Sequence, residues 1–166
     1  MDTLLAIASR REVRDYRPDP LPDELVVRLL EAGRIAGSSR NRQPVRFVVV
    51  RTRALLDELA ATASRATNLL GAPLLIALTV HGEGNTSFDA GRTAQNMMLA
   101  AWSEGVVSCP NGVRDAELAN RICGGDVKLV LSFGYPAKDW DANAHSAEEW
   151  LARAKRKPFD EIVRRV

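Results

Sequence analysis

The chain has 166 residues and a formal net charge of +2, with 46% apolar, 27% charged and 5% aromatic residues. A chain of this size can bury about 70% of its unfolded surface, enough for a core without staples. This composition excludes a disordered chain, a collagen and a coiled-coil rod, and no apolar run nears the ~18 residues of a membrane span. Met1 to Ile7 has no basic stretch ahead of its apolar residues, so it is not expected to be a signal peptide. Leu4 to Ser9 reads as a short helix. Pro22-Asp23-Glu24 opens a second one with Pro in its first turn and acids at its positive end, and it stops near Gly37. Phe47 to Val50 is a β-branched apolar run and reads as a buried strand. Thr52 is placed to cap a helix through about Ala66, and Pro73 to Val80 is a second buried strand. Thr86-x-x-Asp89 has the form of a capping box and opens the longest helix, to about Glu104. Val106-Val107 is a short strand, Ala116 to Ile122 a helix, and Val127 to Gly134 a strand closed by Gly134-Tyr135-Pro136. Ser146 caps a last short helix before a basic tail. About four strands interspersed with five or six helices predict a sheet with helices on both faces, in one α+β domain over residues 1–166.

Cys109 and Cys123 form no CxxC pair, and only two histidines are present, so neither a metal site nor a disulfide framework is expected. Two small thiols in a reducing compartment are the simpler reading. Lys128, Lys138, Lys155 and Lys157 are the only lysines among 23 basic residues. An arginine bias of this kind suits recognition of phosphates and carboxylates, and equally fits GC-rich bacterial coding. With net charge +2 and few aromatics, nucleic-acid binding is not expected.

Three segments are dense in chemistry. Arg10-Arg11-x-x-Arg14 puts three guanidiniums within five residues at a helix-to-loop junction. If the helix continues, Arg10 and Arg14 share a face; if the chain leaves it, the arginines can converge on one anion. Gly37-Ser38-Ser39-Arg40-Asn41-Arg42-Gln43-Pro44 is a loop of hydroxyls and amides, suited to a heteroaromatic edge that carries both carbonyl and NH groups. Turn chemistry alone accounts for the same residues. The third runs from Phe88-Asp89 through Gln95-Asn96-Met97-Met98 to Cys109-Pro110-Asn111-Gly112, where a Pro-Asn-Gly turn is expected to expose backbone NH groups. The methionine pair reads as core.

In this order the segments resemble the FMN-dependent nitroreductase family. Arg10-Arg11-Glu12-Val13-Arg14-Asp15-Tyr16 is similar to its Arg-Arg-Ser-x-Arg-x-Phe signature. The 37–44 loop resembles its Pro-Ser-x-x-Asn-x-Gln-Pro-Trp element, and Asp89-x-Gly91 to Gln95-Asn96 its Asp-x-Gly-x-x-x-Gln-Asn helix. Gly134-Tyr135-Pro136 matches a late turn, and Arg156-Lys157-Pro158-Phe159-Asp160-Glu161 the closing segment.

The resemblance implies a nitroreductase-like α+β fold, a mostly antiparallel central sheet flanked by helices, in an intertwined homodimer with FMN at the subunit interface. It places Arg10 and Arg156 at the FMN phosphate with Arg11 beside it, and Arg14 at the pyrimidine end of the flavin. Gly37, Ser38, Ser39, Asn41 and Gln43 belong to the loop that reaches FMN from the partner subunit. Pro110, Asn111 and Gly112 fall near a turn under the isoalloxazine. No side chain is expected as catalytic nucleophile, because the cofactor carries the chemistry. The implied activity is ping-pong transfer of reducing equivalents from NAD(P)H to a nitroaromatic, quinone or related electron-poor substrate, in the cytoplasm. Glu12 stands where the family has Ser, Gly37 where it has Pro, and Val45 where it has Trp. These departures leave two alternatives: a non-catalytic or degenerate flavin-binding dimer, and a reductase that uses the deazaflavin F420.

Overall fold

The computed structural model describes residues 1–166, which divide into two compact units. One comprises Met1–Arg10 and Trp140–Val166, the other Arg11–Asp139.

The larger unit is built on four antiparallel strands, β1 (Val45–Val50), β2 (Leu74–Val80), β3 (Val107–Asn111) and β4 (Asp126–Gly134), in the order β1-β2-β4-β3. Every residue of β2 is buried. Strand side chains alternate between faces, so an apolar run with no polar alternation needs cover on both sides. It has that cover. Leu74, Ile76 and Leu78 join Leu25, Leu29, Met97 and Phe133 in one core cluster. Leu75 and Ala77 join Leu56, Leu59, Ala119 and Val130 in the other. Helices α2 (Asp23–Arg34) and α4 (Thr86–Ser103) supply the first cluster, and α3 (Arg53–Thr62) and α5 (Ala116–Cys123) the second. Full burial of side chains such as Leu29, Leu59 and Leu78 stabilises by roughly 1.5–3 kcal/mol each. Close approach of α2 to α4 depends on Gly33, where a Cβ would lie 2.8 Å from Met97 Cγ and 2.9 Å from Phe47 Cε1. Asn96 Nδ2 then donates to the Ala32 carbonyl at 3.2 Å.

In the smaller unit, α1 (Thr3–Ser9) packs against α6 (Ala147–Arg153), and α7 (Phe159–Ile162) is a single turn. Asp2 Oδ1 caps α1 by accepting from Leu4 N and Leu5 N. Ser146 and Glu149 close a capping box on α6. Trp150 donates its indole N–H to the Ala142 carbonyl at 2.8 Å and stacks on Trp140.

Several sequence expectations shift. Helix α2 ends at Arg34, and α3 ends at Thr62 rather than near Ala66, because Ala63 turns extended and bridges Val113. Thr52 precedes α3 without a side-chain cap. The capping group of α4 is Asn85, which accepts from Phe88 N, so the Thr86–Asp89 box does not form. Strand β3 extends to Asn111, so Pro110 and Asn111 are paired with Leu131 and Val130 instead of forming a turn. The helices number seven, because the tail adds α7.

Candidate functional site

Arg10 decides the first geometric question. It caps the C-terminus of α1 with φ −57° and ψ 134°, so the chain leaves the helix there and Arg10 and Arg14 share no helical face. The next residues run along β3. Glu12 bridges Ser108 in parallel sense, Val13 N donates to Ser108 O at 3.3 Å, and Tyr16 bridges Pro136. The Tyr16 hydroxyl lies 2.8 Å from both the Val13 carbonyl and Ser132 Oγ. Ser132 Oγ lies 3.2 Å from the Cys109 carbonyl. Arg11 is half-buried and Arg14 exposed.

Cys109 on β3 is 1% exposed. Burial raises its thiol above the ordinary range; the Arg14 guanidinium beside it pulls the other way, and the Glu12 carboxylate pushes further up. Burial likewise drives the Tyr16 phenol well above its usual value, against the Ser132 hydrogen bond. Both groups are neutral at ordinary pH. The charged members of the cluster are the arginines and Glu12.

The Asn111 amide nitrogen is committed within the sheet. It is buried, and its amide nitrogen donates to the Cys109 carbonyl at 3.0 Å and lies 3.5 Å from that of Val130. Pro110 is half-buried in the strand, and Gly112 is exposed just past it. A Cβ at Gly112 would meet only Ser64 Oγ, at 3.8 Å, so the backbone there is open to close approach.

The 37–43 loop is built separately. Ser39–Asn41 forms one 3-10 turn, and Arg40, Asn41 and Gln43 have φ of 53°, 55° and 49°. Three non-glycine residues in the left-handed region within four positions store strain of roughly 1 kcal/mol or more each. Ser38 Oγ holds the shape by accepting from Gln43 N at 2.8 Å, and Arg46 Nη1 donates to Gln43 O at 2.7 Å. Arg42 Nη1 ties the loop to the Glu83 carbonyl. The exposed Gly37 backbone lies against the Arg92 guanidinium, which sits 5.7 Å from the Phe88 ring centroid.

Two cavities flank this loop, of about 220 and 290 Å³. Ser38, Pro44 and Asp89 line both; Phe47 and Thr93 are among the other residues of the first, Arg42 and Arg92 among those of the second. No residue of the 10–16 segment or of Pro110–Gly112 lines either one. The fold therefore assembles Arg11, Arg14, Pro110 and Gly112 along β3, and Gly37, Ser38, Ser39, Asn41 and Gln43 around α4. Arg10 and Arg156 belong to the smaller unit, where Arg156 is exposed and follows Lys155 at φ 50°. Sequence reasoning missed Asp89, Arg92 and Thr93 as cavity residues. Their i, i+3, i+4 spacing on α4 was the available signal.

The same fold recurs in other proteins. A family model described as the nitroreductase family matches residues 7–68 and 60–135. The chain belongs to the nitroreductase family. A protein of Methanothermobacter thermautotrophicus, provisionally named an NADH dehydrogenase/NAD(P)H nitroreductase, is 30% identical over 122 residues, 70% of this chain. The match spans 64% of that relative's own length. A nitroreductase family protein of Clostridium difficile superposes with a TM-score of 0.81 at 24% identity, over 99% of this chain and 98% of the other, which establishes the shared fold. A provisionally assigned nitroreductase of Desulfovibrio desulfuricans, solved in complex with FMN, superposes with a TM-score of 0.78 at 27% identity, over 98% of this chain and 96% of its own.

The donor set of this nitroreductase-family chain fits a phosphorylated flavin. The guanidiniums of the 10–14 segment suit a phosphate, and the open backbone at Gly112 leaves room for close approach.

Proposed function

We propose that the protein is an FMN-dependent oxidoreductase that takes reducing equivalents from NAD(P)H and passes them, by a ping-pong scheme, to a nitroaromatic, quinone or similar electron-poor acceptor. The observation that carries this reading is the arginine segment held against β3, where the chain leaves α1 at Arg10, Glu12 bridges Ser108 and the Arg14 guanidinium acts on Cys109. The FMN complex of the Desulfovibrio relative and the nicotinamide-linked name of the Methanothermobacter relative support it.

A flavin held there would supply the redox chemistry that links NAD(P)H to the acceptor. The chain's own residues bind and orient. Arg11 of the larger unit is assigned to the phosphate. Arg14 places a fixed positive charge where negative charge develops on reduction, which stabilises the reduced state electrostatically. Gly37, Ser38, Ser39, Asn41 and Gln43 reach the cofactor of a second subunit. The separation of this loop's cavities from the arginine segment supports that assignment, since a loop that completes another subunit's site need not face its own. A homodimer follows. Two free, buried or half-buried thiols suit the reducing cytoplasm.

Absorption spectroscopy of the purified protein tests the reading: a flavin spectrum is expected, with FMN released on denaturation. A protein that is colourless and takes up no added FMN would overturn it and leave the deazaflavin or non-catalytic alternatives. In the flavin-loaded protein, Arg14→Ala is expected to lower the midpoint potential. One exposed charge at contact distance acts with about 1–2 kcal/mol, or on the order of 20–40 mV for two electrons. An unchanged potential refutes the role of Arg14.

A further inference from the structure

We infer that Glu12 is a counter-charge built into the arginine cluster: its carboxylate, held beside the Cys109 thiol that Arg14 also reaches, weakens the cluster's grip on an anionic flavin and lowers the potential of the bound cofactor. The inference rests on the FMN reading above and deepens it, because it assigns the tuning of that site to a residue of this chain.

The placement of Glu12 is fixed by backbone. Its bridge to Ser108 and the adjoining Val13–Ser108 hydrogen bond seat it on β3. Strand β3 is itself held by pairing with β4 from Val107 to Asn111. The backbone that carries the carboxylate is therefore held in place. The carboxylate is also shielded: Oε2 has no contact with solvent. Charges screened from water act on their neighbours with several times the strength of surface charges. The Cys109 thiol reports the field at this point, since Arg14 and Glu12 act on it with opposite signs on top of burial. Thus a negative group and the cation assigned to the flavin act on the same buried thiol.

The direction of the effect follows from sign alone. FMN carries a phosphate, and reduction adds negative charge to its ring. A fixed carboxylate opposes both. Glu12 thus acts through its charge and offsets part of the positive potential of Arg11 and Arg14. The bound flavin is a stronger reductant than the arginines by themselves would make it.

Three variants separate charge from shape. Glu12→Gln keeps the shape without the charge, Glu12→Asp keeps the charge, and Glu12→Ser removes both. FMN affinity is read by quenching of flavin fluorescence, and the potential by dye-equilibrated reductive titration. Glu12→Gln and Glu12→Ser are expected to bind FMN about five- to tenfold more tightly and to shift the midpoint potential upward, while Glu12→Asp restores wild-type values. A wild-type protein that binds FMN with the same affinity and potential as Glu12→Gln overturns the inference and leaves the FMN reading standing. A wild-type protein that binds no FMN overturns both. A readout without flavin locates the charge: in a Cys123→Ser background, the ultraviolet thiolate absorbance of Cys109 in the apoprotein is titrated. Glu12→Gln is expected to lower the titration point and Arg14→Gln to raise it. Identical titrations in wild type and Glu12→Gln would show that the carboxylate does not face the thiol, and the inference falls.

Discussion

Cys109, Cys123 and Tyr16 are held in their neutral forms, and the cause in each is burial. Their ordinary values are 9.0 for the thiols and 10.0 for the phenol, and all three are raised in the folded chain. Below those ordinary values the groups are protonated in both states, so their contribution to stability is fully present. As pH rises past them the unfolded chain ionises first, and stability is lost until the folded groups also ionise. The melting temperature is thus expected to be flat in this respect up to about pH 9 and to fall above it. Cys109→Ser should reduce the slope, checked by calorimetry across pH 8 to 11. Glycine packing gives a second contrast. Gly33→Ala drives a methyl into Met97 and Phe47 in a full core and is expected to cost about 1–3 kcal/mol in urea denaturation. Gly37→Ala meets only the mobile end of Arg92 and is expected to cost less than about 0.5 kcal/mol. Neither outcome is readable from the sequence, where both are lone glycines near a helix end. What distinguishes them is the side chain that another element brings opposite.

At the scale of elements, the strands were the legible part. Phe47–Val50, Pro73–Val80 and Val127–Gly134 read as strands because β-branched and apolar runs of that length fit a sheet covered on both faces. Helix ends were less legible. Thr62 ends α3 with its hydroxyl on the Leu59 carbonyl, and Ala63 leaves for a bridge to Val113, a partner 50 positions downstream. The 37–43 loop is the element most dependent on its own hydrogen bonds. Its left-handed residues persist because Ser38 Oγ and Arg46 hold both sides of Gln43. Ser38→Ala is expected to remove about 1 kcal/mol of local stability, seen as faster amide exchange at Gln43 with little change in global unfolding. Unchanged exchange at Gln43 would mean that the strain is held elsewhere.

At the scale of the whole molecule, each unit leaves large apolar side chains in solvent. In the smaller unit Phe159 is 79% and Ile162 60% exposed, with Leu4, Ile7 and Leu151 near half. Such exposure is common for single residues and less so for consecutive faces. The proposed homodimer supplies the cover. Light scattering is expected to give twice the 18.2 kDa chain mass, and a Phe159→Glu, Ile162→Glu pair to move the population toward monomer. A monomer that carries bound flavin would sink the two-subunit geometry.

The sequence by itself determined the element types, the α+β class and the family, because apolar periodicity and short ordered motifs are local properties of the chain. It also marked Arg10, Arg11, Arg14, the 37–43 loop and Arg156 as the residues worth watching. Only the tertiary structure decided what their neighbours are. It drew Pro110 and Asn111 into β3, spent the Asn111 amide nitrogen on carbonyls of β3 and β4, and bridged Glu12 to Ser108 with Oε2 out of solvent. The physical reason is the same in each case: hydrogen bonds and desolvation depend on groups far away in sequence, and no local pattern specifies which of them the fold will place opposite.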